Sequence, residues 1–190
     1  MDRVALTITL LNWSIFYVFW VIEARRTKKN AKRESVAGSI SYRIPAVLAI
    51  LLLVNAHKLG VPFSTELITD ARPISVLAVA LSLSGLAICI WSRVTLGRNW
   101  SSVVAVKNEH ELIQSGPYCL VRHPIYLGMI MMFLANVLLS GRLGGILGVI
   151  CLVVSFYVKL LREEELMLAE FPGQYPDYCR RVKRLIPFIH

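Results

Sequence analysis

RHPIYLGMIMMFLANVLLSGRLGGILGVICLVVSFYVKLL, Arg122 to Leu161, opens on an arginine, a histidine and a tyrosine around a proline and continues as two apolar runs joined at Gly141 and Arg142. The runs, Ile125 to Ser140 and Leu143 to about Leu161, approach the roughly 20 apolar residues that cross about 30 Å of hydrocarbon. The stretch therefore reads as a helical hairpin of two spans entered through a polar mouth. Ionisable groups at such an entry are costly to hold without partners, so the mouth marks a site for a polar ligand and the chain reads as a membrane enzyme.

Three further runs precede the hairpin: Val4 to Ile22, Ile44 to about Leu59, and Pro73 to about Trp91. His57 and Lys58, near the end of the second, can snorkel to the headgroups. Hydrophobic residues make up 56% of the 190 and the mean hydropathy is +0.59, more than the core of a soluble domain this size requires. The expected fold is an all-α membrane protein of about five transmembrane helices. It forms one integral domain, with three spans in residues 1–91 and a core of two spans plus a tail in 92–190. The first run has an acid and a base in its head, is rich in aromatic residues and is followed by charge, so it reads as a retained span rather than a cleaved leader.

Lysine and arginine concentrate on cytoplasmic loops. Only Arg3, Lys58, Arg72 and Arg142 fall on one face, leaving 17 of the chain's 21 basic residues on the other. This places the amino terminus outside, and the third loop and the tail in the cytoplasm. The net charge of +9 includes a run from Arg25 to Arg33 directly after a span, which reads as a topology signal facing an anionic leaflet. No nucleic-acid module is recognisable, so the expected partners are the bilayer and a lipophilic substrate. Cys89, Cys119, Cys151 and Cys179 have neither metal-site nor disulfide-framework spacing, and no metal is expected. The glycines of GRLGGILG lack the strand and spacing of a nucleotide loop. The pairs Gly141 with Gly145 and Gly144 with Gly148 suit close helix packing instead.

Chemistry is thus confined to the loop from Ser92 to Pro124 and the tail after Lys159. The loop carries GRNWSS from Gly97, then HELIQSGPYCLVRHPIY from His110 to Tyr126. Pro124 suits the first turn of the fourth helix, whose start favours a carboxylate. Trp100 is placed to cover a substrate entrance or to anchor at the interface. In the tail Glu163, Glu164 and Glu165 are consecutive on a helix, about 100° apart, so at least one can face the loop. Tyr175 and Tyr178 are expected to pack the tail on the loop.

Taken in order, GRNWS, HELIQSGPY, RHPIYLG, the EEE helix, FPGQYPDY and RLIPFI resemble the isoprenylcysteine carboxyl methyltransferase family over roughly Leu96 to Ile189. The resemblance implies a helical membrane methyltransferase that binds S-adenosylmethionine, without a Rossmann fold, in a cytoplasmic pocket closed by the loop and the tail. By position it implies cofactor contacts from His110, Leu112, Ile113, Tyr118, His123, Pro124, Ile125, Tyr126 and Glu164. The family's eukaryotic members carry an arginine four residues before that glutamate, where this chain has Leu160, and a loop glutamine where it has Ala105. The cation for a carboxylate acceptor is then sought in Arg122, Lys159 or Arg162, and Trp100 joins them as a substrate contact.

The expected reaction is methyl transfer to a lipophilic acceptor, an isoprenylcysteine-like carboxylate foremost. A carboxylate is already a nucleophile at neutral pH, whereas an amine of the phospholipid-methyltransferase kind would need a base, available from Glu163 to Glu165. An NADPH-dependent sterol-type reductase shares the His-Pro and Tyr elements but carries RHPNY followed by an acid. A membrane scaffold would not need His110, Tyr118, Arg122, His123, Tyr126 and Glu164 together.

Overall fold

The computed structural model describes residues 2–68, 71–107 and 111–187. Its helices are α1 (Arg3–Ala24), α2 (Val36–Asn55), α3 (Arg72–Leu96), α4 (Pro124–Ser140), α5 (Leu143–Glu170) and α6 (Tyr175–Arg181). A two-stranded antiparallel ribbon, β1 (Asn30–Arg33) with β2 (Ala105–Lys107), ties the loop after α1 to the loop after α3. Among the described residues, α1, α2, α3 and α5 are long and apolar enough to cross a membrane, while α4 is a shorter apolar helix of 17 residues. Leu10, Leu11 and Ile15 of α1 and Val47, Leu51 and Val54 of α2 are exposed, an apolar belt of the kind that lipid covers.

The second span begins eight residues earlier than its hydropathy suggests. Ser35 Oγ accepts the Gly38 N–H at 3.1 Å and caps α2, and the polar Ser39 and Tyr42 are buried inside the bundle. Only Ser39 and Tyr42 turn inward there, while Ala37, Ile40, Ser41 and Arg43 are exposed; the polar residues of this stretch break the apolar run that begins at Ile44. His57 and Lys58 then fall in the exposed turn beyond α2. Pro45 has no N–H for the Ser41 carbonyl one turn earlier in α2, and Ser155 Oγ of α5 donates to the adjacent Tyr42 carbonyl at 2.7 Å, a hydroxyl that joins α5 to α2 beside the proline.

α4 and α5 are joined through Gly141, which has φ of +64°, and Arg142. They are a hairpin by connection, yet α4 packs mainly on α3, and α5 mainly on α2. Gly144 and Gly148 make the second of these contacts possible: a Cβ on Gly144 would lie 2.8 Å from Ala56 Cβ, and one on Gly148 3.0 Å from the Ala49 carbonyl. Of the two expected glycine pairs this one forms the helix contact, while Gly141 serves the turn. Asn12 Nδ2 donates to Ser82 Oγ at 2.9 Å and joins α1 to α3 inside the bundle, as polar residues between membrane helices commonly do.

The loops sort onto two ends. At one end the loop after α2 closes over the α4–α5 turn, with Leu67 N–H donating to the Gly141 carbonyl at 2.7 Å and Leu143 N–H to Thr65 at 2.9 Å. At the other end lie the ribbon, the close of α3, the start of α4, the close of α5 and α6. The candidate site is built there.

Candidate active site

The tail is fastened to the mouth of α4 by backbone and by charge. Arg122 N–H donates to the Lys183 carbonyl at 2.8 Å and His123 N–H to Arg184 at 3.0 Å, with Val121 and Lys183 paired in parallel. Glu164, buried near the end of α5, accepts from Arg122 Nη2 at 2.7 Å and Nε at 2.9 Å, and from Arg184 Nε at 3.0 Å. His123 Nε2 lies 3.2 Å from the same carboxylate. The remaining Arg122 nitrogen donates to the carbonyls of Val182 and Cys179. Tyr178 Oη donates to the Tyr118 carbonyl at 2.6 Å. Burial pushes the phenols of Tyr118, Tyr175 and Tyr178 above their ordinary range, so all three stay neutral donors.

Between this knot and the ends of α1 and α3 lies a cavity of about 370 Å³, within the usual size for a small-molecule site. One wall is the loop and the start of α4, with Leu112, Ile113, Tyr118 and His123 to Tyr126. Tyr175, Tyr178 and Met167 close it from the tail, and Trp20, Leu96, Asn99 and Trp100 from the ends of α1 and α3. Tyr126 stacks between Phe156 and His123, at centroid distances of 4.8 and 5.6 Å, and its hydroxyl donates to Glu163 Oε1 at 2.7 Å. Lys159 enters beside them, its Nζ donating to the Ser102 carbonyl at 3.0 Å and lying 3.8 Å from Glu163.

The segment that forms α4, α5 and most of α3 is matched by the model of the isoprenylcysteine carboxyl methyltransferase (ICMT) family, over residues 77–170. Those residues belong to the ICMT family. Protein-S-isoprenylcysteine O-methyltransferase B of Arabidopsis thaliana is 30% identical over 101 residues, which is 51% of this chain and 51% of that one. Protein-S-isoprenylcysteine O-methyltransferase of Mus musculus is 34% identical over 99 residues, 50% of this chain and 35% of its own. The cobalt-zinc-cadmium resistance protein CzcN of Cupriavidus metallidurans is 27% identical over 120 residues, 62% of this chain and 53% of its own. The chain thus spans about half the length, or less, of these relatives. The family match starts inside α3, earlier than the motifs alone suggest, and stops at Glu170, before FPGQYPDY.

Within this ICMT segment and its flanks, Leu112, Ile113, Tyr118, His123, Pro124, Ile125 and Tyr126 all line the cavity, as do Trp100, Arg122 and Lys159. His110 lies outside the described residues. The three adjacent glutamates do point three ways: Glu163 lines the cavity, Glu164 is the anchor of the tail, and Glu165 is exposed beside Arg162. Arg162 is itself half-exposed, 3.8 Å from Glu165, and is not among the cavity's walls. Arg122 reaches the cavity, but each of its guanidinium nitrogens is engaged by Glu164, Val182 or Cys179. Leu160, where the eukaryotic arginine would stand, is fully buried in a cluster with Tyr126, Leu152 and Phe156. Tyr175 and Tyr178 pack with Leu112 and Val182, fixing the tail to the loop as expected.

Several contributors went unassigned at the level of sequence. Arg93 is completely buried: Nη2 donates to the Glu23 carbonyl and Nη1 to that of Gly97, both at 2.7 Å, and the guanidinium lies 4.7 Å over the Trp100 ring. A lone cation in the apolar stretch ICIWSRVTL is the signal that marks it. Trp20, edge-on to Trp100 at 5.9 Å, and Asn99 carried no separate signal.

Proposed function

We propose that the cavity is the active site of an S-adenosylmethionine-dependent methyltransferase acting on the carboxylate of a lipophilic, isoprenylcysteine-like acceptor at the membrane face. The observation that carries this reading is the meeting of the RHPIY wall, the Glu163 carboxylate and the Lys159 ammonium in one cavity, within a chain whose matched half belongs to the ICMT family. The donor set suits the cofactor. Glu163 offers an anion to an ammonium or sulfonium, the phenol of Tyr118 stays a hydrogen-bond donor, and Leu112, Ile113, Pro124 and Tyr126 offer apolar faces to a flat base.

S-adenosylmethionine supplies, when bound, an electrophilic methyl group. What the protein must add is alignment and a dry enclosure rather than a strong base. Tyr126, held by two ring stacks and by Glu163, cannot swing away from the wall. Lys159 is the cation for the acceptor carboxylate, replacing the arginine that Leu160 lacks. It needs only to exchange the Ser102 carbonyl and its contact with Glu163 for the substrate. The lipid chain of the acceptor enters beside Trp20 and Leu96, which lie on membrane-spanning helices. The cavity end carries the basic loops and so faces the cytoplasm by the distribution of lysine and arginine, with the amino terminus outside.

The test is methyl transfer from S-adenosylmethionine to a carboxylic prenylcysteine analogue and to a lipid amine, by the purified protein in detergent. Lys159→Met is expected to lower kcat/KM for the carboxylate roughly 10- to 100-fold, the loss of one charge-assisted hydrogen bond, while Arg162→Met leaves it unchanged. Calorimetric affinity for S-adenosylhomocysteine should stay the same in both variants. Turnover of the lipid amine alone would move the reading to an N-methyltransferase with Glu163 as its base, and an equal effect of the two variants would remove Lys159 from the acceptor site.

A further inference from the structure

We infer that Asn99 reads the methyl acceptor, its side-chain amide accepting a hydrogen bond from the acyl-amide N–H of an N-acylated, S-alkylated cysteine. The inference rests on the carboxyl methyltransferase reading and extends it from the reacting carboxylate to the group that distinguishes one lipid acid from another.

Asn99 is 9% exposed, and its Oδ1 is buried with no hydrogen-bond partner among the described residues. Native proteins rarely leave such an acceptor unsatisfied, because each one retains the full cost of its lost hydration. The residue lines the cavity, so a ligand there can supply the missing donor.

The turn that carries it is held by Arg93 and by the backbone of Lys28. Arg93 Nη1 donates to the Gly97 carbonyl at 2.7 Å, Lys28 N–H donates to the Arg98 carbonyl at 3.0 Å, and Arg93 lies over the next ring, Trp100. A buried arginine spent on bracing a three-residue turn beside an unpaired amide oxygen is the arrangement of a group kept in place for a ligand.

Position assigns the ligand. Asn99 stands on the wall made by the ends of α1 and α3, among Trp20, Leu96 and Trp100, opposite in origin to the loop and tail elements given to the cofactor. Three residues along the chain, the Ser102 carbonyl meets Lys159 Nζ at 3.0 Å. An acceptor with its lipid chain toward the tryptophans and its carboxylate at Lys159 brings the groups on its α-carbon to this wall. In an N-acylated cysteine one of those groups is an amide N–H, which a plain thioether acid lacks. Sites built to hydrogen-bond a substrate group discriminate strongly against analogues without it, since the site's own polar group is then left unpaired.

The test is a cycle of two ligands and two proteins. N-acetyl-S-farnesylcysteine and 3-(farnesylthio)propanoic acid share the thioether, the chain and the carboxylate; only the first has the amide. Their Kd values are measured by calorimetry on the full chain in detergent with S-adenosylhomocysteine present, for the unaltered protein and for Asn99→Leu. The unaltered protein should bind the amide-bearing ligand about 10-fold tighter, and Asn99→Leu should bind both alike. S-adenosylhomocysteine affinity should not change. Tm should hold or rise, because an apolar isostere removes an unsatisfied acceptor. Asn99→Ala serves as the second variant and should erase the preference in the same way.

A preference that survives in the variants, or that is absent from the unaltered protein, overturns the assignment. So does a fall in Tm of Asn99→Leu or a matching loss of S-adenosylhomocysteine affinity, which would give Asn99 to the scaffold or to the cofactor. An unaltered protein that binds neither acid while still binding S-adenosylhomocysteine overturns the prenylcysteine reading itself, and Asn99's role with it.

Discussion

Glu164→Ala lowers the Tm of the detergent-solubilised protein by roughly 10 °C, and Glu163→Gln leaves Tm within about 2 °C but weakens S-adenosylhomocysteine binding. The contrast between neighbours follows from what each carboxylate touches. Glu164 accepts from Arg122 twice and from Arg184 once, with His123 at 3.2 Å, and its side chain is 8% exposed. Removing one partner of a buried ion pair costs about 3–5 kcal/mol, because the other charge stays buried and uncompensated. At about 2–4 °C per kcal/mol for a chain of this size, the shift is of order 10 °C.

The loss reaches the cavity because Arg122 also grips the Val182 and Cys179 carbonyls, and Tyr175 and Tyr178 depend on that docking. Glu163 makes lighter contacts, none of them to the tail among the described residues: it lines the cavity, accepts from Tyr126 at 2.7 Å and lies 3.8 Å from Lys159 and 3.7 Å from His123 Nδ1. The resemblance to the methyltransferase family assigns the cofactor to Glu164, whereas the geometry here favours Glu163 as the facing anion. If Glu164→Ala keeps its Tm while cofactor affinity collapses, the family assignment stands and the anchor reading is wrong.

Gly128→Ala, the addition of one methyl, is expected to cost about 3 kcal/mol, the upper part of the range for overfilling a packed interior, and to lower Tm by a similar 10 °C. A Cβ on Gly128 would lie 2.6 Å from both the Gly85 carbonyl and Cys89 Sγ. The reciprocal Cβ on Gly85 would meet the Gly128 carbonyl at 2.5 Å. Each glycine of the α3–α4 crossing faces the other's backbone, so no side chain can rotate out of the way and the helices must part. Ile125 and Met129, on the same helix and in the cavity wall, move with them, so S-adenosylhomocysteine affinity should fall alongside Tm. Gly173→Ala is the control, since a Cβ there meets nothing within 4 Å. Thermal melts that do not separate the two variants would mean that the crossing tolerates a wider spacing.

Hydropathy and the alternation of basic loops were enough to place five apolar helices and to sort their loops onto two ends, because both depend on composition averaged over about twenty residues. The start of α2 lay outside the apolar run read from Ile44, because Ser39, Ser41, Tyr42 and Arg43 interrupt it and only Ser39 and Tyr42 are buried against the bundle. The mouth of α4 was legible because histidine, arginine and tyrosine beside an apolar run are expensive there, and RHPIY does line the cavity. The division of labour among those residues was not legible. Which of Glu163, Glu164 and Glu165 faces the cavity, and which of Lys159 and Arg162 enters it, turns on the phase of α5 against α4 and the tail, a difference of about 100° per residue. Arg93, Trp20 and Asn99 needed the close of α3 to meet the end of α1. Cost and composition are local properties of a chain, but the direction of a side chain and the loss of its last partner exist only once distant segments are packed together.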